Sequence, residues 1–456
     1  MEIEIISKQC IKPSSPTPSH LKTYQISLLD QYGPSGYGRV LFFYSANQDY
    51  SIPNRSQILK QSLSQTLTRY YPVAGKIRDN LSIDCNDEGV LYIETRILNC
   101  CLDDYLSNLE VSSIFKLFPD AVSNVVSSGA PVAIVQENVF TCGGMALGFF
   151  PWHVIFDAST LSAFLKTWSA FARNSVEEAL FPNFTASTIF PPNISFNLDS
   201  LAMASRLFAW SPSVVTRRFF FDGSVIANLK AQATRSSSFQ NPTRAEVVSA
   251  LLLKSFTAAL LKVKLQTQIP IVMNFPVNLR RRANPQIPET CVGNSLFFTT
   301  LSTKGGEEFY GLMWKMRESL SRINGDVVKS LQGDGGWLKL VEMIRKLHDE
   351  LFSDSGIVHI GLNSWCNMGL YNVDFGFGKP LWIPASAFGI KNYMFLTDTK
   401  YGDGIEAWVS LDEQVMEVLE QDKKLMSLVS LDASPLELGN PNPSLPKKII
   451  SSVSKL

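Results

Sequence analysis

The sequence predicts a mixed α/β protein whose two domains are joined by a long crossover. Its 456 residues exceed the usual size of one domain, and strand-like and helix-like stretches alternate along the chain. Residues 182–215 are rich in Pro, Asn and Ser and show weak periodicity. We therefore predict a first domain at 1–181, a linker at 182–215, a second domain at 216–432 and an extended tail at 433–456.

The composition is that of a well-packed globular protein, with 45% hydrophobic and 18% charged residues. Lys+Arg and Asp+Glu both number 41, so the zero formal charge gives no reason to expect a nucleic acid or an anionic membrane surface as partner. No apolar run reaches transmembrane length. The sequence has no heptad pattern, so it gives no reason to expect more than a monomer. The seven cysteines form no CxxC pair, which predicts a reduced intracellular protein.

Local patterns predict the elements of the first half. Apolar β-type runs predict strands at 40–44, 132–139 and 144–150. Apolar residues at helical spacing predict helices through 58–67 and at 158–173. Alternating residues at 81–85 and 91–93 flank Asn86-Asp87-Glu88-Gly89, a pattern typical of a β-hairpin.

The second half repeats this alternation of strands and helices. Periodicity predicts helices at 244–263, 307–323, 336–352 and 413–421. Apolar runs predict strands at 269–278 and 294–302, and a hairpin of 394–399 and 405–411 across Gly402-Asp403-Gly404. The order of elements is therefore that of a second α/β unit.

Among the four histidines, His153 has the sequence context of a catalytic base. It follows a predicted strand, precedes a predicted helix and lies in the almost wholly apolar stretch 149–157. Burial there would keep its imidazole neutral and able to accept a proton. Asp157 could orient the ring or cap the helix, because Asp is a preferred N-cap residue. The same residues also fit a core histidine beside a helix cap, so the local pattern leaves both interpretations open.

Other catalytic chemistries have little support in the sequence. The sequence has no G-x-S-x-G elbow, so a serine hydrolase of that type is not expected. It also has no HExxH motif and no Cys/His cluster, so it gives no support to a metal site. His348 lies on a polar helix and His359 in a strand-like run, both typical of structural positions. The glycine-rich stretches 142–144 and 376–378 lack the spacing of a nucleotide cradle.

Two motifs resemble those of the plant BAHD acyl-CoA-dependent acyltransferases. His153-Val-Ile-Phe-Asp157 matches the HxxxD motif, and Asp374-Phe375-Gly376-Phe377-Gly378 matches the second signature, usually DFGWG. Their order and wide separation make the pair specific. Shorter stretches are similar to the same family and to its branch of vinorine synthase and other alkaloid acetyltransferases, at 11–18, 29–31, 71–75, 278–280, 293–294 and 364–366.

This resemblance implies a fold of two similar α/β domains like those of chloramphenicol acetyltransferase. A central solvent channel would run between them, with His153 at its centre. Acyl-CoA would enter one mouth and the acceptor the other. The segment around 366–392 would pack back on the first domain.

The resemblance also implies the roles of the site residues. His153 would be the general base for direct attack of the acceptor on the thioester, without an acyl-enzyme. Asp157 would be structural, paired with Arg280, and residues 374–378 would also be structural. Binding of substrate or CoA would involve Trp152, Thr243, Arg244 and Asn278.

Two residues depart from the family pattern. Phe377 stands where the family usually has Trp, which removes an indole N–H but keeps an apolar ring. Trp152 stands where the branch commonly has a small residue, so its ring would either narrow a channel mouth or fill core. The YFGNC sequence of the malonyl-transferring branch is replaced by Cys291-Val-Gly-Asn-Ser295, so a dianionic donor is less favoured, although Arg281 and Arg282 could serve one.

The function implied is transfer of an acyl group, most simply acetyl, from acyl-CoA to a hydroxyl of a plant specialised metabolite such as an alkaloid. Acyl-CoA would be a co-substrate, with no bound cofactor and no metal. One alternative is a malonyl, branched or aromatic donor, or an amine acceptor. Another is a non-catalytic binding protein that keeps the channel.

The last three residues predict a location. Ser454-Lys455-Leu456 matches the peroxisomal import tripeptide, which a receptor reads at a free C-terminus. The preceding residues are polar and interrupted by proline, which favours access by the import receptor. We therefore expect the peroxisome rather than the cytoplasm.

Overall fold

The computed structural model describes residues 1–47, 51–122, 125–194, 211, 213–237, 239–352, 356–385 and 389–438. Its strands are β1 Ile3–Ile11, β2 Thr23–Gln25, β3 Val40–Tyr44, β4 Lys76–Ile77, β5 Ser82–Asp84, β6 Val90–Ile97, β7 Ala133–Val139, β8 Met145–Pro151, β9 Val214–Phe221, β10 Ile271–Asn278, β11 Leu296–Thr303, β12 Val358–Ser364, β13 Tyr393–Asp398, β14 Ile405–Asp412 and β15 Ser430–Leu431. Its helices are α1 Leu28–Gln31, α2 Ile52–Arg69, α3 Leu102–Ser107, α4 Ala158–Ala172, α5 Ala186–Ile189, α6 Gly223–Ser237, α7 Arg244–Lys264, α8 Phe309–Ser321, α9 Gly325–Ser330, α10 Gly336–Phe352, α11 Glu413–Glu420 and α12 Lys423–Met426.

The first half of the chain builds a five-stranded sheet in the order β1-β6-β7-β8-β3. β6 and β7 run parallel, and the other neighbours run antiparallel. Every residue of β7 and β8 is buried, which explains why both strands are continuous apolar runs in the sequence. Because β8 is an inner strand that ends at Pro151, the sheet fixes the start of the turn that carries His153.

The hairpin predicted from 81–85 and 91–93 is wrong. β5 pairs with β2 and β4 in a separate three-stranded sheet, whereas β6 pairs with β1 and β7. Asp87 and Gly89 have positive φ values of 61° and 97°, so the chain does turn here. The turn leads from one sheet to another because each strand finds its partners elsewhere in the sequence.

The second half builds a seven-stranded sheet in the order β11-β10-β12-β13-β14-β9-β15, with β12 parallel to both its neighbours. The predicted hairpin of β13 and β14 is confirmed. β9 begins at Val214, inside the predicted linker 182–215, and α5 also lies there. Residues 195–210 and 212 of that linker lie outside the described residues, so its domain boundaries stay a prediction.

Residues 370–383 return from the second sheet to the first half of the chain. Five apolar side chains of this segment belong to the core that covers the first sheet: Leu370, Val373, Phe375, Phe377 and Ile383. At the edge of that sheet, Phe43 N donates a hydrogen bond to Trp382 O over 2.9 Å. The contact expected for the segment around 366–392 is therefore made by these residues.

The chain stays attached to the fold beyond the predicted boundary at 432. Arg218 Nη2 donates to Ala433 O at 2.8 Å, and Ser434 Oγ donates to Leu106 O at 3.1 Å. The first residues of the predicted tail therefore contact the fold, and the extended tail itself stays a prediction. Residues 439–456 lie outside the described residues. None of the described helices has the length and apolar character needed to cross a membrane.

Candidate active site

The HxxxD motif forms the turn between β8 and α4. Residues His153–Ile155 make one tight helical turn, and Asp157 is the N-cap of α4. The Asp157 Oδ1 atom accepts a hydrogen bond from Thr160 N at 2.9 Å. Such a cap satisfies an N–H group that would otherwise lack a partner and places a negative charge at the helix N-terminus. The capping role that the sequence left open is therefore present.

Asp157 also forms a buried ion pair with Arg280, which follows β10 in the second half of the chain. The side chains are joined by Nη1–Oδ2 and Nη2–Oδ1 distances of 2.5 and 3.1 Å, and Asp157 is 5% exposed. Ser295 N donates to the same carboxylate at 3.1 Å. Burial opposes the charge of Arg280, but the Asp157 carboxylate outweighs it and raises the pKa of the guanidinium above its ordinary value.

His153 is partly exposed as a residue, and its buried Nδ1 makes no hydrogen bond to another described residue. Burial lowers its pKa below 6.5, and its own carbonyl and the Asp157 carboxylate offset this only in part. The imidazole is therefore neutral near pH 7, the state that a general base requires. Its backbone is held from both sides, because His153 N donates to Gly36 O and His153 O accepts from Asn294 Nδ2, each at 2.9 Å.

Residues 291–295 make several short contacts at the site. The sequence did not predict that these residues belong to it. Arg280 Nη2 donates to Cys291 O and Gly293 O at 2.9 Å. Asn294 N donates to the fully buried Asp30 at 2.5 Å. The signals for these residues were the resemblance of 29–31 and 293–294 to family stretches and the replacement of YFGNC at 291–295, and neither carries information on their contacts.

The predicted binding residues lie in different surroundings. Trp152 is 4% exposed and donates from Nε1 to Ser35 O at 3.1 Å, which favours the core-filling interpretation of its ring. Asn278 accepts from Arg280 N at 2.9 Å beside the HxxxD turn. Thr243 caps α7 in a capping box with Glu246. Arg244 is ion-paired with Asp398 at 2.7 Å, so its charge is already balanced.

The second motif forms a loop against the first half of the chain. The Asp374 Oδ1 atom accepts from Gly376 N and Gly378 N at 2.8 and 3.0 Å. Both glycines have positive φ, 99° and 111°, a conformation that side-chain-bearing residues rarely adopt. Phe377 is 5% exposed and its ring lies 5.3 Å from that of Tyr44. These contacts give the loop a packing role.

His153 is partly exposed as a residue, and the solvent channel expected through the molecule stays a prediction. A groove of about 810 Å³ lies instead along α10, where Trp337, Val341 and Arg345 contribute to its wall. It contains no residue of the HxxxD turn. Within the described part of the chain, no three His, Cys, Asp or Glu side chains are grouped as metal ligands would be.

The whole chain is similar to known proteins, in sequence to some and in structure to others. Epi-neemfruitin B 7-O-acetyltransferase of Melia azedarach is 41% identical, and limonoid 7-O-acetyltransferase of Citrus sinensis is 40% identical. Each alignment covers 96% of this chain and 100% of the relative. The crystal structure of vinorine synthase has a TM-score of 0.79 and 32% identity, over 94% of this chain and 99% of that one.

A family profile extends this similarity to the level of the family. The profile of the transferase family matches residues 1–426, which includes both motifs. The matched region ends at the last residue of α12, so it covers the first sheet and all of the second sheet except β15. The chain therefore belongs to the transferase, or BAHD, family of acyl-CoA-dependent acyltransferases.

Proposed function

We propose that this protein transfers an acetyl group from acetyl-CoA to a hydroxyl group of a plant specialised metabolite, with His153 as the general base. The observation that carries the proposal is a partly exposed His153 in a turn whose backbone and cap are both fixed by hydrogen bonds. Burial, which lowers the pKa of its imidazole, supports the same role. Membership of the acyltransferase family supplies the reaction class. The finer points, acetyl as donor and the identity of the acceptor, rest on the names of relatives.

A thioester carbonyl is already electrophilic. The enzyme therefore has two main tasks, to position the two substrates and to supply a base that removes the acceptor proton. His153 takes the proton of the acceptor hydroxyl as its oxygen forms the new C–O bond to the acetyl carbon. The resulting tetrahedral oxyanion then collapses, the C–S bond breaks, and the proton passes to the CoA sulfur. Each proton and bond is accounted for without a covalent acyl-enzyme.

Asp157 has a structural role in this proposal. Its two oxygens already accept four hydrogen bonds, from Thr160 N, Ser295 N and both terminal nitrogens of Arg280. A carboxylate with these partners has little capacity left to receive a proton from the imidazole. It holds the start of α4 and thereby the turn.

The acceptor is a hydroxyl of a limonoid or an alkaloid, which broadens the alkaloid expectation. The relatives named above are acetyltransferases that act at position 7, one of them on a limonoid, and other relatives act on alkaloids. Amine acceptors and malonyl, branched or aromatic donors are the alternatives within this fold. Arg281 and Arg282 favour an acidic donor only weakly, because Arg281 already pairs with Glu289 at 2.7 Å.

The test is release of free CoA thiol from acetyl-CoA with a panel of limonoid and alkaloid alcohols, with the product identified by mass spectrometry. Loss of the base in His153→Ala should reduce kcat by about 10²–10⁴-fold. His359→Gln is a matched control, because His359 is also half-buried with a pKa lowered by burial but lies on β12. Equal turnover of His153→Ala and wild type would refute the assigned base.

A non-catalytic binding protein is the alternative from another class of function. Its support in the sequence was Trp152 and Phe377, and both side chains are packed in the core of the first half. Binding of CoA with no product from any donor and acceptor in the panel would favour it. A product from any pair would exclude it.

Peroxisomal import remains a proposal that applies only if Leu456 ends the mature chain. Residues 454–456 lie outside the described residues. A fluorescent N-terminal fusion should enter peroxisomes, and deletion of the three residues should leave it in the cytosol with unchanged activity in extracts. A diffuse full-length fusion would contradict this. The expectation of a monomer likewise awaits a measurement of mass in solution.

A further inference from the structure

The main-chain carbonyls of the HxxxD turn are held by a side chain from the second half of the chain. Asn294 Nδ2 donates to His153 O at 2.9 Å and also to Val154 O. Asn294 is 2% exposed, so water does not compete for these hydrogen bonds. The orientation of the His153 peptide therefore depends on where Asn294 is placed.

Asn294 is itself placed by Asp30, which belongs to α1 in the first half. Asp30 Oδ1 accepts from Asn294 N at 2.5 Å, and Asp30 Oδ2 accepts from Ser27 N at 2.7 Å. Asp30 thus connects α1 to the segment before β11 that carries Asn294.

Asp30 is an unusual choice for a simple helix cap. It is fully buried, and no lysine or arginine of the described residues lies within ion-pair distance of it. A buried carboxylate without a cation is costly, and α1 is only four residues long. Gly293, with φ 123°, leaves space that a Cβ would fill at 2.8 Å from Asp30 Oδ1. The absence of a side chain at Gly293 therefore leaves room for the Asp30 side chain to reach the main chain of Asn294.

We propose that Asp30 and Asn294 are positioning residues for the reaction: Asp30 holds Asn294, and Asn294 holds the main chain of the catalytic base. The inference rests on the proposed role of His153. Neither residue contacts the reacting atoms in this scheme. The two residues act by orienting the imidazole of His153. Small displacements of a catalytic group reduce the rate steeply.

The kinetic experiment separates positioning from helix capping. Asp30→Asn leaves one acceptor oxygen where Asp30 uses two, for Asn294 N and Ser27 N, and Asn294→Ala removes the side-chain donor. Each variant should lower kcat about 10-fold or more, with KM for acetyl-CoA changed less than about twofold. Ser27→Ala is the matched control, because it removes the other half of the same capping box, the Asp30 N–Ser27 Oγ bond of 3.2 Å, and leaves Asn294 untouched. The double variant Asp30→Asn/Asn294→Ala should be no slower than the worse single variant, since both act through one contact chain.

A spectroscopic experiment reports on the base without requiring turnover. With ¹⁵N-labelled histidine the protein has four imidazoles, and His153→Ala identifies the signal of His153. In Asp30→Asn and Asn294→Ala the His153 signals should shift, while those of His20, His348 and His359 remain as internal controls. Ser27→Ala should leave all four unchanged.

Unchanged His153 signals in both variants would overturn the proposal, and so would an equal shift in Ser27→Ala, which would indicate general loosening of α1. If Asp30→Asn does not fold, Asn294→Ala decides alone. A shifted His153 in a protein that acetylates nothing would leave the positioning pair standing and refute the proposed function instead.

Discussion

Asp157 and Arg280 form a two-point ion pair between residues 123 positions apart in the chain. The pair connects the helix that follows the HxxxD turn to the end of β10, and so joins the two halves of the molecule beside the candidate base. Because the Arg280 side chain is only 1% exposed, its guanidinium has no access to solvent if the carboxylate is removed.

Asp157→Ala should therefore destabilise the protein strongly. Leaving a buried charge unpaired costs about 3–5 kcal/mol, and activity should fall as well because the start of α4 loses its cap. The measurement is the free energy of unfolding in urea. Arg281→Ala is the control, because that arginine is 77% exposed and its pair with Glu289 should contribute no more than about 1 kcal/mol. An equally stable Asp157→Ala with a selective loss of rate would instead give Asp157 a direct part in catalysis.

His153 should make stability fall on the acid side of neutrality. Burial lowers its folded-state pKa below 6.5, so the unfolded chain binds more protons between the two values. The free energy of unfolding therefore rises with pH through that window. The stability that the neutral His153 contributes is lost as the pH falls below about 6.5. Wild type should lose stability relative to His153→Gln on acidification, measured by urea unfolding across that window. A constant difference between the two proteins would mean that the folded-state pKa is ordinary.

Asp30 should show the opposite dependence. Burial raises its pKa from 3.8 to about 7, so the folded protein retains a proton that the unfolded chain has lost between these values. Stability therefore falls as the pH rises from about 4 to about 7, by up to about 4 kcal/mol relative to the uncharged Asp30→Asn. Tyr24 and the Cys291 thiol do not titrate in this window, because burial raises the pKa of each. The titration of His153 below 6.5 is common to wild type and Asp30→Asn, so it cancels in the difference between them. A difference that does not change with pH would show that Asp30 stays ionised throughout.

The catalytic turn could be predicted from the sequence because its information is local. His153 and Asp157 are four residues apart, and an apolar strand and a helix cap surround them. The pairing of Arg280 with Asp157 was predicted only from the resemblance to a family. Asp30 and Asn294 could not be paired in this way, since 264 residues separate them and neither has a local pattern that predicts a contact.

The elements show the same distinction between local and distant information. The helix at 158–173 and the strands near 133–139 and 145–151 agree with their periodicity to within a residue or two. β5 and β6 were predicted as a hairpin because the turn between them is visible in the sequence, whereas their partners β2 and β1 are not. The two-domain α/β fold followed from the alternation of elements, and the return of residues 370–383 to the first half followed only from the resemblance.

The second motif should govern stability rather than catalysis. Asp374 Oδ1 receives two main-chain N–H groups, from Gly376 and Gly378, and Asp374 O accepts from Arg173 at 2.6 Å at the end of α4. Asp374→Ala removes the side-chain acceptor and should cost about 1–3 kcal/mol in the free energy of unfolding, while Asp374→Asn keeps an Oδ1 acceptor and should recover most of that loss. Since Phe375 and Phe377 still anchor the loop in the core, kcat and KM at a temperature where each variant is folded should remain within about twofold of wild type. The check is urea unfolding and steady-state kinetics on the same preparations. If Asp374→Ala instead kept its stability and lost kcat, the loop would have to contact the reacting groups, and its packing role would be wrong.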